Sequence, residues 1–97
     1  MKLFEKVSGS KKDRDVKLFA ISTCPWCKKT KELLESLDLE YRYVDLDKKA
    51  GDKKEEVKEK MKEYNPKGNV PTVVVDEGDE VVVGYKEEKI RGILEDE

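Results

Sequence analysis

The sequence predicts a single α/β domain in the order βαβαββα, with a four-stranded mixed sheet flanked by helices. Three observations carry that prediction. Short apolar runs at 16–21, 41–46, 72–75 and 80–83 alternate with longer stretches whose apolar residues recur at helical spacing. A pair of cysteines, Cys24-Pro25-Trp26-Cys27, sits where the first run meets the first helical stretch. The chain has 97 residues, enough to bury one core and too few for two.

Residues 1–15 are expected to be an N-terminal accessory segment, with the domain proper over 16–97. Leu3, Phe4 and Val7 supply a short strand or a turn of helix ahead of the polar loop Ser8-Gly9-Ser10-Lys11-Lys12-Asp13. The run 16–21 is apolar but for one lysine, the mark of a strand covered on both faces in a parallel sheet. Over 25–37 the positions Trp26, Thr30, Leu33, Leu34 and Leu37 fall at helical spacing, while Lys28, Lys29, Lys31, Glu32 and Glu35 face water. Pro25 suits the first turn, where its missing N–H would be unpaired anyway. The alternating run 41–46 is a second strand and closes a right-handed βαβ unit. Val57, Met61 and Tyr64 place a second amphipathic helix over 52–64, which Asn65-Pro66-Lys67-Gly68-Asn69 stops. The β-branched runs 72–75 and 80–83 flank Asp76-Glu77-Gly78-Asp79, a hairpin connection containing Gly. Ile90, Ile93 and Leu94 form the stripe of a last short helix over 86–94.

Composition narrows the function. Charged residues make up 45% of the chain, yet 21 Lys and Arg against 23 Asp and Glu leave a net charge of -2, and the signs are interspersed. That pattern has neither a nucleic-acid footprint nor an acidic tail; it reads as solvent-facing ion pairs. No apolar run approaches the roughly 20 residues of a membrane span, and the first residues lack the apolar core of a signal peptide. The expected setting is a reducing cytoplasm, the expected state a monomer, and the two cysteines are too few to staple a secreted fold.

The cysteine pair is the chemical centre. A spacing of three puts both sulfurs on one side of a first helical turn, where a disulfide can form and break with little backbone motion. Cys24, at the helix N-terminus, meets unpaired N–H groups and the positive end of the macrodipole, with Lys28 and Lys29 one turn on. It is the expected nucleophile, because a free thiol with a pKa of about 8.5 is only a few per cent thiolate at neutral pH and attack needs the thiolate. Cys27, a turn inside, is the expected resolving thiol, shielded and more basic. Two competing readings are half of a metal or iron–sulfur site and two inert core thiols. With no histidine and no third cysteine, a metal would require a dimer, so the expected metal set is none.

Other residues divide between site and scaffold. Pro71 either opens an edge strand or follows a cis Val70-Pro71 bond, and the cis reading is preferred. Trp26 is either core or an exposed rim beside the thiols, and the rim is preferred because the helix buries its other face through Leu33 and Leu37. Tyr85 either fills the core or narrows the groove. Lys28 and Lys29 are either a solvated face or a contact for an anionic partner.

With Cys24-Pro25-Trp26-Cys27 after the first strand, Asn69-Val70-Pro71-Thr72 before the third and Gly84-Tyr85 after the fourth, residues 16–95 resemble the glutaredoxin branch of the thioredoxin superfamily. The resemblance implies a thioredoxin-like fold and a thiol-disulfide oxidoreductase that reduces protein disulfides by a dithiol mechanism. It implies no cofactor beyond the redox-active Cys24–Cys27 disulfide, and it places Pro25, Trp26, Val70, Pro71, Gly84 and Tyr85 around the substrate. Val70 would offer its backbone to an extended substrate, like an added strand. Two departures concern the reductant. Where glutathione-using members carry a lysine three residues before the first cysteine this chain has Ile21, and the second glycine of their Gly-Gly pair is Tyr85; Asn69 also replaces a threonine. These put glutathione recognition in question and point to a reductase or another low-molecular-weight thiol, with an ordinary glutathione-dependent glutaredoxin as the alternative. The Gly-aromatic pair is similar to that of glutaredoxin-like proteins that behave as small thioredoxins, among them hydrogen donors for ribonucleotide reductase.

Overall fold

The computed structural model describes residues 4–11, 14–49 and 51–94. Its strands are β1 (Glu5–Val7), β2 (Val16–Ala20), β3 (Tyr41–Asp45), β4 (Thr72–Val75) and β5 (Glu80–Val83), and its helices are α1 (Pro25–Ser36), α2 (Gly51–Tyr64) and α3 (Glu87–Leu94). One mixed sheet runs in the order β1-β3-β2-β4-β5. The parallel pair is β2 and β3, joined through α1, and the other neighbours are antiparallel. This is a thioredoxin-like α/β fold.

The two-residue period of the central strands makes the layers. Val16, Leu18 and Ala20 of β2 and Val73 and Val75 of β4 join Leu33 and Leu34 of α1 and Ile90 and Leu94 of α3 in one buried cluster. Phe19 and Val74, between them in sequence, face the other way and meet Val57 and Met61 of α2. Burying such a side chain fully is worth roughly 1.5–3 kcal/mol, so the two central strands, covered on both faces, anchor the fold. Their continuous apolar runs follow from that position.

The expected four-stranded sheet is corrected to five strands. The fifth, β1, lies within the segment expected to be accessory, and three residues with only Val7 against the core are too few to show a period. It is held by antiparallel pairing of Glu5 with Tyr43 and Val7 with Tyr41, while Phe4 meets Phe19 edge-on at 5.4 Å between ring centroids. Gly9 then passes so close to Leu39 that a Cβ would lie 2.5 Å from its carbonyl carbon. Leu3, Lys12 and Asp13 fall outside the described residues.

Two strand ends are earlier than expected. Ile21 leaves β2 and its carbonyl accepts the Cys24 N–H at 3.0 Å, and Leu46 leaves β3 to open a 3₁₀ turn, Leu46–Lys48. Lys31 does not stand in water: it is half-buried, 3.2 Å from Asp45 and 4.1 Å from the centre of the Tyr43 ring. No helix among the described residues is long and apolar enough to cross a membrane.

The register decides where a site can form. Phe19 pairs with Thr72 and Thr72 with Val83. The segment leaving β2, the segment entering β4 and the segment leaving β5 therefore converge at one end of the sheet.

Candidate active site

Cys24 stands at that end as the N-cap of α1. Its backbone is extended, with φ −84° and ψ 117°, and its Sγ accepts the N–H of Cys27 at 3.2 Å. One donor that every helix start leaves orphaned is thereby spent on the sulfur. Pro25 takes the first helical position, where no N–H is lost. Both cysteines are free thiols, and their exposure differs: Cys24 is half-buried, Cys27 only 1% exposed. Burial, reinforced by the adjacent Cys24 thiol, pushes Cys27 up to about 12. At neutral pH Cys27 therefore holds its proton, as expected for the inner thiol.

The loop entering β4 carries a cis Val70-Pro71 bond. Among the described residues no hydrogen bond uses the N–H or C=O of Val70. Its neighbours are tied down: the Pro71 carbonyl accepts the Gly84 N–H at 2.7 Å, joining this loop to the one that leaves β5. Gly84 has φ +88°, a conformation that favours glycine, although a Cβ there would meet nothing within 4 Å.

Next to the thiols is a shallow groove of about 210 Å³, lined by Trp26, Val70, Pro71, Gly84 and Tyr85. Trp26 is 55% exposed and stacks on Tyr85 with centroids 5.8 Å apart and planes 26° from parallel, and Lys29 lies 5.5 Å over its ring. Tyr85 both packs against the main core and lines the groove. The structure thus gathers Cys24, Pro25, Trp26, Val70, Pro71, Gly84 and Tyr85 at one end of the sheet, with Cys27 beneath them. Lys28 is exposed on the outer side of α1.

Two positioning residues escaped the sequence reading. From the sequence, Asn65 reads only as part of a helix stop. Its side chain, 5% exposed, donates to the Asn69 carbonyl and to the Thr72 hydroxyl, both at 3.1 Å, and so fixes the loop that presents Val70. Asp47 accepts the Ser22 N–H at 2.9 Å and the Ser22 hydroxyl, which pins the segment leading into Cys24 and holds the Asp47 carboxyl below the usual range. An Asn directly after a helix and ahead of a Pro marks the first; nothing in the sequence links residues 22 and 47. Among the described residues no three or more His, Cys, Asp or Glu side chains gather as a metal site.

Comparison with known proteins agrees with this geometry. The glutaredoxin family model matches residues 16–81. A glutaredoxin-like 8.6 kDa protein in the rubredoxin operon of Clostridium pasteurianum is 34% identical over 80 residues, 82% of this chain and 97% of that one. Among solved structures, the glutaredoxin of Methanosarcina mazei Go1 superposes with a TM-score of 0.84 at 36% identity, covering 96% of this chain and 88% of its own. Methanosarcina acetivorans methanoredoxin gives 0.87 at 33% identity over 93% and 94%. A matched domain that holds both cysteines and the cis-proline loop settles the kinship: the chain belongs to the glutaredoxin family.

Proposed function

We propose that the protein is a thiol-disulfide oxidoreductase that reduces protein disulfides through Cys24 and Cys27. The observation that carries the reading is the asymmetry of the pair, one thiol reachable at a helix N-cap and the other sealed and kept protonated. Cys24, as thiolate, attacks one sulfur of a substrate disulfide; the S–S bond breaks, the first substrate thiol leaves and a mixed disulfide remains. Cys27 then attacks the Cys24 sulfur, its proton passes to the departing second thiol, and the Cys24–Cys27 disulfide holds the oxidising equivalents. Two electrons from a reductase or a low-molecular-weight thiol other than glutathione reset the pair. The unpaired Val70 N–H and C=O support main-chain pairing with an extended substrate, which accommodates many sequences, ribonucleotide reductase among them. A reducing cytoplasm and a monomeric protein complete the proposal.

The test is the pair of single variants. Cys27→Ser traps substrate as a stable mixed disulfide, and Cys24→Ser traps nothing and loses activity by a factor of about 10³ or more. Equal alkylation of both thiols at neutral pH would overturn the assignment. Brisk turnover of a glutathione mixed disulfide would move the protein to the glutathione-dependent class.

A further inference from the structure

Helix α2 gathers its acidic residues on one face. At about 100° per residue, Asp52, Glu55, Glu56, Glu59 and Glu63 fall on one arc pointing away from the core, whereas Lys54, Lys58 and Lys62 form a row beside the buried Val57 and Met61. That row runs along a trough of about 370 Å³ floored by Ile21, Leu46, Met61 and Val70, and Lys67 adds a fourth ammonium group. None of the four lysines is paired with a carboxylate among the described residues. The one carboxylate on the wall, Asp47, is already engaged by Ser22.

The trough adjoins the dithiol. The Ile21 carbonyl on its floor accepts the Cys24 N–H, and Val70 lines both the trough and the Trp26–Tyr85 groove. A strand laid against Val70 across Cys24 would carry one flank over the aromatic shelf and the other over the lysines.

We infer that the lysine trough docks an acidic, apolar-alternating segment flanking the disulfide of a protein substrate. This rests on the dithiol reading and names the substrate class it serves. From Lys54 to Lys62 the helix advances about 12 Å, the length of about four residues of extended chain, so the row is matched to a segment and is too long for a single carboxylate. An extended segment turns alternate side chains to opposite sides, which sets apolar residues on the floor and carboxylates among the lysines. Such complementarity acts mainly on the rate of encounter and weakens with salt.

Two peptides test it, each carrying one cysteine as a mixed disulfide with 2-nitro-5-thiobenzoate and flanked by Asp-Leu-Glu-Leu or by Gln-Leu-Gln-Leu. The full-length protein should reduce the acidic peptide about tenfold faster at low salt, and the ratio should fall toward one in about 0.5 M salt. It should also fall in the triple variant Lys54→Gln, Lys58→Gln, Lys62→Gln, and be kept in the corresponding triple Arg variant. A ratio of one in the parent protein, or a ratio that the Gln variant leaves unchanged, overturns the inference. A peptide with a single carboxylate that gives the full ratio does the same, because the trough then reads one charge. Amide NMR shifts over 54–62 with a cysteine-free acidic peptide separate the two readings: shifts without turnover keep the docking site and sink the dithiol reading, and turnover without shifts does the reverse.

Discussion

At the end of the sheet where β2 begins and β4 stops, the polar groups answer one another. Arg14 donates to Asp76 at 2.7 Å and to the Ile93 carbonyl at 3.2 Å, the Asp15 N–H donates to Asp76, and Lys17 and Arg42 reach the Asp15 carboxylate. At the opposite end, around Cys24, Trp26 lies exposed, and among the described residues Val70 leaves both backbone groups unused and four lysines stand without a carboxylate partner. Charged side chains stand at both ends, but the linked network of ion pairs is at the first. Binding requires groups that the fold leaves unmet, so the end that closes its own network holds the sheet together and the end that does not is free to meet a substrate.

Asn65→Ala tests this contrast hardest. Asn65 is a buried polar side chain that braces the unmet end, and its loss takes one of two donors from the Asn69 carbonyl and the amide donor from the Thr72 hydroxyl. The expected cost is about 1–3 kcal/mol in urea unfolding, together with a several-fold drop in kcat/KM for disulfide reduction as the Val70 loop loosens. Full stability with full activity would break the comparison.

Asp76→Asn sharpens it from the other side. The Asp15 N–H and the Arg14 guanidinium hold the Asp76 carboxyl below its ordinary value of about 3.8. A pKa lowered by folding contributes stability that is present above the unfolded value and is lost as pH falls through the folded one. Wild-type urea midpoints should therefore drop below about pH 4, and the Asn variant should begin lower at pH 7 and slope less in acid. Its rate of disulfide reduction should match wild type, since Asp76 lies at the far end. A slower rate would mean that the two ends are coupled.

What could be read in advance follows the same division. Strands 16–20 and 72–75 were legible because both faces are buried and the runs are continuous, and the Cys24–Cys27 join was legible because strand and helix patterns meet there. The strand at 5–7 was legible only as a short strand or a turn of helix, because its pairing with 41–43 is backbone work that three mostly exposed residues do not record. At the site, Cys24, Trp26 and Pro71 announce themselves by residue type. Asn65 and Asp47 act through contacts that only the folded chain creates, and the lysine row becomes a trough only once Ile21, Leu46 and Val70 floor it. Lys31 was misplaced because helical spacing alone does not foresee the Asp45 and Tyr43 of a neighbouring strand.

The smallest expected effect sits at Gly84. Because a Cβ there meets nothing within 4 Å, Gly84→Ala carries only the torsional penalty of φ +88°, about 1–2 kcal/mol. Gly84 also donates to the Pro71 carbonyl and immediately precedes Tyr85, so relief of that torsion would pull Tyr85 off Trp26. Trp26 is the sole tryptophan, which makes its emission a direct readout. Acrylamide quenching should rise in the variant alongside the small loss of stability. If stability falls while quenching stays at the wild-type level, the stack is held by the core beneath Tyr85 and the turn contributes nothing to the groove.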